Sequence, residues 1–317
     1  MECGLRRSTP HERCPSNCRM NAWWPPFPIV PTVLWAVLAS SCLTAIIASV
    51  ACAQTSATTS ELEEEEKLER DFTDPLTTLP QVLIRDACSP ATYGTHVQTN
   101  QAIVRPIIPR VPARSLLPFD QLIRPTLSLV TIPDAGGGTR TEFGDLPLFD
   151  VFVLPWPSRE SGLLWGVGPA FVFPTATSKG AGQGAWQAGP TLGAIYKGVP
   201  GLLAGFVVQN PISFAYTASN RPPQNTLAFQ PVLALHLWDK WYLRSSEATW
   251  TMGWHQHSPT TLPLSLAIGR TLVRPGLPPM SFFVGGQWTT YRQFAPVTPQ
   301  TTVNFGMTIA FPQLKSW

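Results

Sequence analysis

The chain has 317 residues and a formal net charge of +3, and only 13% of its residues are charged, against roughly a quarter in average soluble domains. With 34 Pro, 23 Gly and 12 Trp, it would form a surface poorly suited to water. Its Lys and Arg residues are scattered rather than clustered, which excludes the basic stripe that nucleic-acid binding requires.

The first part of the chain has the order of an export signal. Residues 29–50 are apolar apart from scattered Ser and Thr, and the positive residues Arg13 and Arg19 precede them. Ala51 and Ala53 then provide the small side chains that signal peptidase recognises. The sequence therefore predicts a signal peptide over residues 1–53.

The predicted cleavage lies between Ala53 and Gln54, and Met20 is an alternative start of translation. Two alternatives stay open: an uncleaved anchor, because the apolar stretch is long enough to span a bilayer, and lipidation of Cys52. Of the six cysteines, only Cys88 follows the cleavage site, so the mature chain cannot form an internal disulfide.

Residues 54–93 are predicted to form a periplasmic region. A polar linker leads into an acidic helix over Glu61–Phe72, which ends at Asp74 because Pro75 disfavours helical geometry there. We expect residues 74–93 to form a plug that enters a barrel, with an apolar cluster of Leu79, Val82, Leu83 and Ile84. The competing interpretation is a strand at residues 79–87.

Residues 94–317 carry the pattern of β-strands. Apolar side chains recur at every second position, so that in the last run Val303, Phe305 and Met307 alternate with smaller or polar residues. About eleven such runs occur, each near or above the roughly 9 to 11 residues of a transmembrane strand. Because single-chain barrels usually have an even number, we predict an all-β antiparallel barrel of about 12 strands, within a range of 10 to 14.

The second face of these runs distinguishes a membrane barrel from a soluble β-sandwich. A sandwich normally carries charge on its outward face, whereas here the second face consists mainly of small and uncharged residues. Aromatic residues recur near the predicted strand ends, as in the girdles of membrane barrels. Lipid also requires closure of the sheet, because an open edge would leave backbone groups unpaired.

Polar residues within the strands are candidates for the lumen. Arg105 and Arg124 each lie on the face opposite the aliphatic residues of their strand, and charge facing lipid near the bilayer midplane costs about 2 to 4 kcal/mol. Five further residues share the prediction that they face the lumen and the solute pathway: Asp145, Gln209, Gln230, His236 and Glu247. Ion pairs that merely fill a small barrel are the alternative interpretation.

Two longer motifs carry a resemblance to a known family: Gly166-Val-Gly-Pro-Ala-Phe-Val-Phe-Pro-Thr-Ala-Thr177 and Gly182-Gln-Gly-Ala-Trp-Gln-Ala-Gly-Pro190. Shorter motifs such as Arg105-Pro106-Ile107-Ile108-Pro109 and Phe311-Pro312 support it. From about residue 72 to 312 the chain resembles outer-membrane channels associated with meta-pathway phenol degradation. The resemblance implies a β-barrel, passage of hydrophobic or aromatic compounds and no catalytic residues. Residues 313–317 depart from it by extending past the Phe-Pro finish.

The sequence thus predicts a channel or transporter in the bacterial outer membrane, in contact with membrane lipid, small hydrophobic or aromatic solutes and the barrel-assembly machinery. No enzyme motif, cofactor site or metal site is predicted, and His255 and His257 are interpreted as loop residues because alternating histidines alone are a weak zinc signal. Two alternatives stay open: a lipid-modifying barrel enzyme, and a structural or adhesive barrel with a filled core.

Overall fold

The computed structural model describes residues 67–314 except 95, 135–137, 155–161, 246, 256, 275 and 296. The predicted signal peptide, its cleavage site at Ala53 and Gln54, and most of the predicted acidic helix lie outside the described residues. Of the helices that are described, none is long and apolar enough to cross a membrane.

The described chain begins with helix α1, residues 67–73, which ends before Asp74 as Pro75 predicts. The strands are β1 (Gln81–Thr92), β2 (Thr99–Arg110), β3 (Asp120–Pro125), β4 (Leu127–Pro133), β5 (Thr139–Phe143), β6 (Leu146–Leu154), β7 (Leu163–Phe173), β8 (Ala185–Val199), β9 (Leu202–Gln209), β10 (Ile212–Tyr216), β11 (Thr226–His236), β12 (Trp241–Arg244), β13 (Trp250–Gly253), β14 (Thr260–Leu272), β15 (Met280–Gln293) and β16 (Pro299–Ala310). Single 3-10 turns lie at Pro112–Arg114 and Pro312–Leu314.

Some of these strands occur in pairs, and the two strands of each pair together form one crossing of the barrel wall. β3 and β4 pair with β2 in one continuous register, in which Ile108 faces Ile123 and Val104 faces Leu127. β5 and β6, β9 and β10, and β12 and β13 form similar interrupted crossings. Counted this way, the described strands form twelve antiparallel crossings. The sheet closes because β1 pairs with both β16 and β2, which confirms the predicted barrel of about 12 strands.

The structure corrects the expectation that residues 74–93 form a plug. Val82, Leu83 and Ile84 belong to β1, whose backbone pairs with β16 from Gln81 to Thr92. The competing interpretation, a twelfth strand in this region, is therefore right. The physical reason is closure: without β1, the edges of β2 and β16 would face lipid unpaired. Of residues 74–93, those before β1 remain available to enter the barrel.

The two faces of the wall differ as the alternation predicts. Outward-facing residues such as Leu233, Leu264 and Phe305 are more than half exposed and form the apolar surface that lipid would cover. Inward-facing residues of the same sheet are buried, among them Thr302, Asn304 and Thr308 of β16. We call the end of the barrel at Gln81 and Ala310 the terminal end, and the opposite end, at Thr92 and Pro299, the far end.

Candidate functional site: the barrel lumen

The lumen contains a charged cluster that depends on a break in the wall. β11 pairs with β13 at residues 226–229 and with β12 at residues 234–236, but its residues between these ladders have no partner in either strand. Pro231 lies in this gap and cannot donate a backbone hydrogen bond. Ser245 bridges the gap: its hydroxyl donates to Pro231 O (3.1 Å) and accepts from Leu233 N (3.0 Å).

Glu247 lies on the segment between β12 and β13 that leaves the ladder. Its φ of 40° is in the left-handed region, where a residue other than glycine is uncommon and costs of order 1 to 3 kcal/mol. The surrounding structure therefore holds this residue in place, and the break allows its carboxylate to reach across the lumen instead of following the wall.

Four arginines, which we call the arginine cluster, surround the Glu247 carboxylate: Arg85 of β1, Arg105 of β2, Arg124 of β3 and Arg244 of β12. Oε2 accepts hydrogen bonds from Arg85 Nη1 (3.2 Å) and Arg105 Nη1 (2.8 Å), and Oε1 lies 3.9 Å from Arg244 Nη2. Arg105 Nε also donates to Thr126 Oγ1 (3.0 Å). The cluster thus carries four positive charges and one negative charge.

The arginines without a short bond to Glu247 lie against aromatic rings. The Arg244 guanidinium lies 4.0 Å from the centroid of the Phe283 ring, and that of Arg124 lies 4.6 Å from Phe149. Such contacts favour a cation without neutralising it. Among the described residues, Arg244 Nε and Nη2 and Arg85 Nε are buried without a hydrogen-bond partner. The cluster therefore has donors that an anion could satisfy.

The part of the lumen next to the arginine cluster is apolar. An apolar cluster of buried residues lines it, consisting of Ile107, Leu122, Val151, Val153, Ile195, Leu203 and Ala234 together with Leu76, which precedes the barrel. Gly166 of β7 and Gly193 of β8 leave a depression in this wall. A Cβ at Gly166 would lie 2.7 Å from Leu76 Cδ2, and one at Gly193 would lie 3.3 Å from it. Leu76 therefore fills the space that the two glycines leave.

Residues 67–80, which we call the inner segment, are held at the terminal end of the lumen by several contacts. The buried Asp74 carboxylate forms an ion pair with Lys197 of β8 and accepts a hydrogen bond from Leu76 N (2.8 Å). Phe72 and Leu79 pack against Ala310 at the end of β16. The cavity between the inner segment and the arginine cluster measures only about 60 Å³, which is room for about two water molecules.

The residues predicted for the lumen have different surroundings. Arg105, Arg124 and Glu247 meet in the cluster, and Gln230 lines the same cavity. Gln209 shares the inward-facing register of Leu203 and Val207, and His236 lies near the terminal end beside Gly201. Asp145 accepts hydrogen bonds from the backbone N–H of Ala176 and of Gln183 (2.6 Å), so it anchors the connection between β7 and β8. Leu79, predicted as part of the plug, lies in the inner segment.

Sequence reasoning missed Arg85, Arg244, Asp74 and Lys197 as lumen residues. Arg85 does carry a signal, because it lies on the face of β1 opposite Val82 and Ile84, but the assignment of this region to a plug hid it. Arg244 is one of only four residues in β12, too short a run for alternation to show. The ion pair of Asp74 with Lys197 joins residues far apart in sequence, and no local pattern reports it.

Comparison with known proteins gives a structural likeness alone. The crystal structure of an outer membrane channel from Pseudomonas putida F1 is similar with a TM-score of 0.50 and 12% sequence identity, over 75% of this chain and 98% of that one. The KdgM porin aligns with a TM-score of 0.41 and 8% identity, over 73% and 99% of the two chains. No protein-family model matches the chain. No curated protein matches it in sequence. The fold is thus that of an outer membrane channel.

Proposed function

We propose that this protein is a channel of the bacterial outer membrane, closed by its inner segment and opened to small hydrophobic or aromatic solutes when that segment moves. The observation that carries the proposal is the position of residues 74–76 within the lumen. They lie between the arginine cluster and the apolar wall, where they leave a cavity of about 60 Å³. The short segment therefore fills part of the lumen beside the arginine cluster.

The contacts of the inner segment support a movable closure. Residues 74–78 form no backbone ladder with the sheet, and their contacts include the ion pair of Asp74 with Lys197, the packing of Leu76 in the apolar cluster and local hydrogen bonds. A strand of the wall would instead require the loss of a whole ladder of backbone hydrogen bonds. Residues 74–78 can thus separate from the wall while β1 to β16 stay paired.

The solute class rests on the apolar side of the lumen and on the resemblance of the sequence motifs to channels associated with phenol degradation. Removal of Leu76 from its depression would expose Leu122, Val151, Ile195 and Leu203 to the passing solute. Such a surface favours apolar and aromatic bodies. The apolar outward face of the barrel supports its place in a membrane, and the fold supports the outer membrane in particular.

The ion pair between Asp74 and Lys197 provides the first test. Asp74→Asn keeps the oxygen that accepts the Leu76 N–H but removes the attraction to the ammonium, which should weaken closure by about 1 to 3 kcal/mol. We expect longer open periods in planar-bilayer recordings of the full chain, and the same from Lys197→Gln. The matched controls are Asp134→Asn, in an exposed ion pair near the far end, and Lys179→Gln in the β7–β8 connection.

The outcome separates this proposal from a structural barrel with a filled core, which the small cavity also favours. If the barrel is structural, neither the wild type nor the Asp74 and Lys197 variants conduct ions, and both variants have a lower thermal stability than the wild type. A channel predicts increased conductance from the Asp74 and Lys197 variants and unchanged conductance from the two controls. Absence of conductance in all of the proteins would overturn the proposal.

A further inference from the structure

The lumen joins a surplus of positive charge directly to an apolar surface. Arg124 lines the cavity that faces Glu247 and Arg244, and it also lines the small apolar cavity formed by Leu122, Phe149, Val151 and Val207. Pro75 and Ile107 likewise line both cavities. A ligand that reached Arg124 would therefore have guanidinium groups on one side and aliphatic and aromatic side chains on the other.

The arginine cluster is incompletely neutralised by the described residues. Glu247 supplies one carboxylate to four guanidinium groups, and the nearby Asp74 carboxylate is engaged by Lys197 and Leu76 N. Arg244 is nine-tenths buried, and its Nε and Nη2 have no hydrogen-bond partner among these residues. Buried donors without a hydrogen-bond acceptor are costly, so a bound anion would stabilise this arrangement.

The apolar surface beside the cluster is occupied by the chain itself. Leu76 lies in the depression that Gly166 and Gly193 leave, and Asp74 and Pro75 line the cavity that the arginines also line. The inner segment thus occupies the apolar surface directly beside the arginine cluster. A solute with an apolar body and a group that binds the arginines could replace it.

We propose that the lumen binds anionic amphiphiles, in which a carboxylate is joined to an apolar aliphatic or aromatic body. The carboxylate binds Arg124 and Arg244, and the body takes the place of Leu76 against Leu122 and Val151. This proposal rests on the proposed channel function and names its substrate class. It also makes solute and inner segment competitors for one site, so binding opens the lumen.

The test measures binding and passage separately on the full-length barrel. Three probes share one body: 4-phenylbutyrate, 4-phenylbutanol and 4-phenylbutylamine, titrated by calorimetry into protein in lipid nanodiscs. We expect 4-phenylbutyrate to bind at least about tenfold more tightly than the alcohol, the factor that one charged hydrogen bond provides, and the amine to bind most weakly. Equal binding of the three probes would overturn the proposal.

Variants locate the site. Arg124→Gln should remove about tenfold of the preference for the carboxylate over the alcohol, and Arg270→Gln, at an outward-facing ion pair with Asp239, should leave the preference unchanged. Leu76→Ala keeps every arginine and removes the competing side chain, so it should tighten binding of 4-phenylbutyrate several-fold even if Arg124→Gln fails to fold. Unchanged affinity in Leu76→Ala, or a preference that survives in folded Arg124→Gln, would contradict the assignment.

Inorganic phosphate tests whether charge alone is recognised. If equimolar phosphate displaces 4-phenylbutyrate completely, the apolar body contributes nothing and the proposal is wrong. Failure of the channel function gives a different result, because the probe would bind with the expected preference while planar bilayers show no conductance. Conductance without any carboxylate preference would leave the channel function standing and remove this inference.

Discussion

The two sides of the lumen are built in different ways. The apolar side comes mainly from β6, β8 and β9, joined by Ile107 of β2 and Leu122 of β3, and Gly166 and Gly193 are gaps in this otherwise filled surface. The charged side comes from long side chains on β1 to β3 that meet Glu247 where β12 and β13 separate. Side chains on paired strands thus form the apolar surface, whereas the carboxylate of Glu247 comes from a segment that leaves the ladder.

Substitutions on the charged side should lower the stability of the barrel more than those on the apolar side, and Glu247→Ala should lower it most. Among the described residues it removes the carboxylate that pairs with Arg85 and Arg105, which leaves neighbouring guanidinium groups to repel each other. Loss of one partner from a buried ion pair costs about 3 to 5 kcal/mol. Urea unfolding of the barrel in detergent, followed by heat modifiability on gels, measures the change in the free energy of unfolding.

Asp239→Asn is the control for Glu247→Ala, because it breaks an ion pair with Arg270 that lies on the outer surface. Exposed ion pairs contribute only about 0 to 1 kcal/mol. Equal destabilisation by the two substitutions would mean that the arginine cluster is no more dependent on its carboxylate than a surface ion pair is.

On the apolar side, Gly193→Val should act on the inner segment rather than on the wall. The atoms nearest to a Cβ at Gly193 all belong to Leu76, at 3.3 to 3.7 Å, so the larger side chain of valine must displace Leu76. We expect overpacking of about 1 to 3 kcal/mol to be relieved by movement of the segment, seen as several-fold more open time in planar bilayers. Gly138→Val, with nothing within 4 Å, is the control.

The smallest expected loss of stability concerns the gap between the ladders that β11 forms with β12 and with β13. Ser245→Ala removes the hydroxyl that donates to Pro231 O and accepts from Leu233 N, and should cost about 1 to 2 kcal/mol. Ser265→Ala removes a buried hydroxyl that has no partner among the described residues and should be neutral. A similar loss of stability in both variants would show that Ser245 does not support the break.

The sequence was sufficient for the fold because the barrel repeats one simple rule. Alternation of apolar and small residues along β7, β14 and β16 identifies the outward face, and closure follows from the chemistry of lipid. The first strand was misassigned, because an apolar cluster at Leu79 to Ile84 is compatible with both a plug and a strand. Its pairing with β16, more than 200 residues away, is a property of the closed sheet.

The site was predictable only in part, and for a physical reason. Arg105 and Arg124 lie in regular strands, where parity predicts the direction of a side chain. Glu247 was selected for its charge alone. The local sequence does not show that the pairing of β11 is interrupted around Pro231, or that Glu247 lies on the segment beside this gap. The inner segment could be predicted to enter the barrel, but the depression that receives Leu76 is formed by glycines on two other strands.

The central claim is that the inner segment, and not the barrel wall, closes the lumen. The most direct measurement is the single-channel conductance of a chain that lacks residues 54–78 but keeps β1 from Gln81, compared with the full chain in the same lipid. The account predicts a folded, heat-modifiable barrel with a conductance several-fold higher than that of the full chain. A folded barrel whose conductance is no higher than that of the full chain would contradict it.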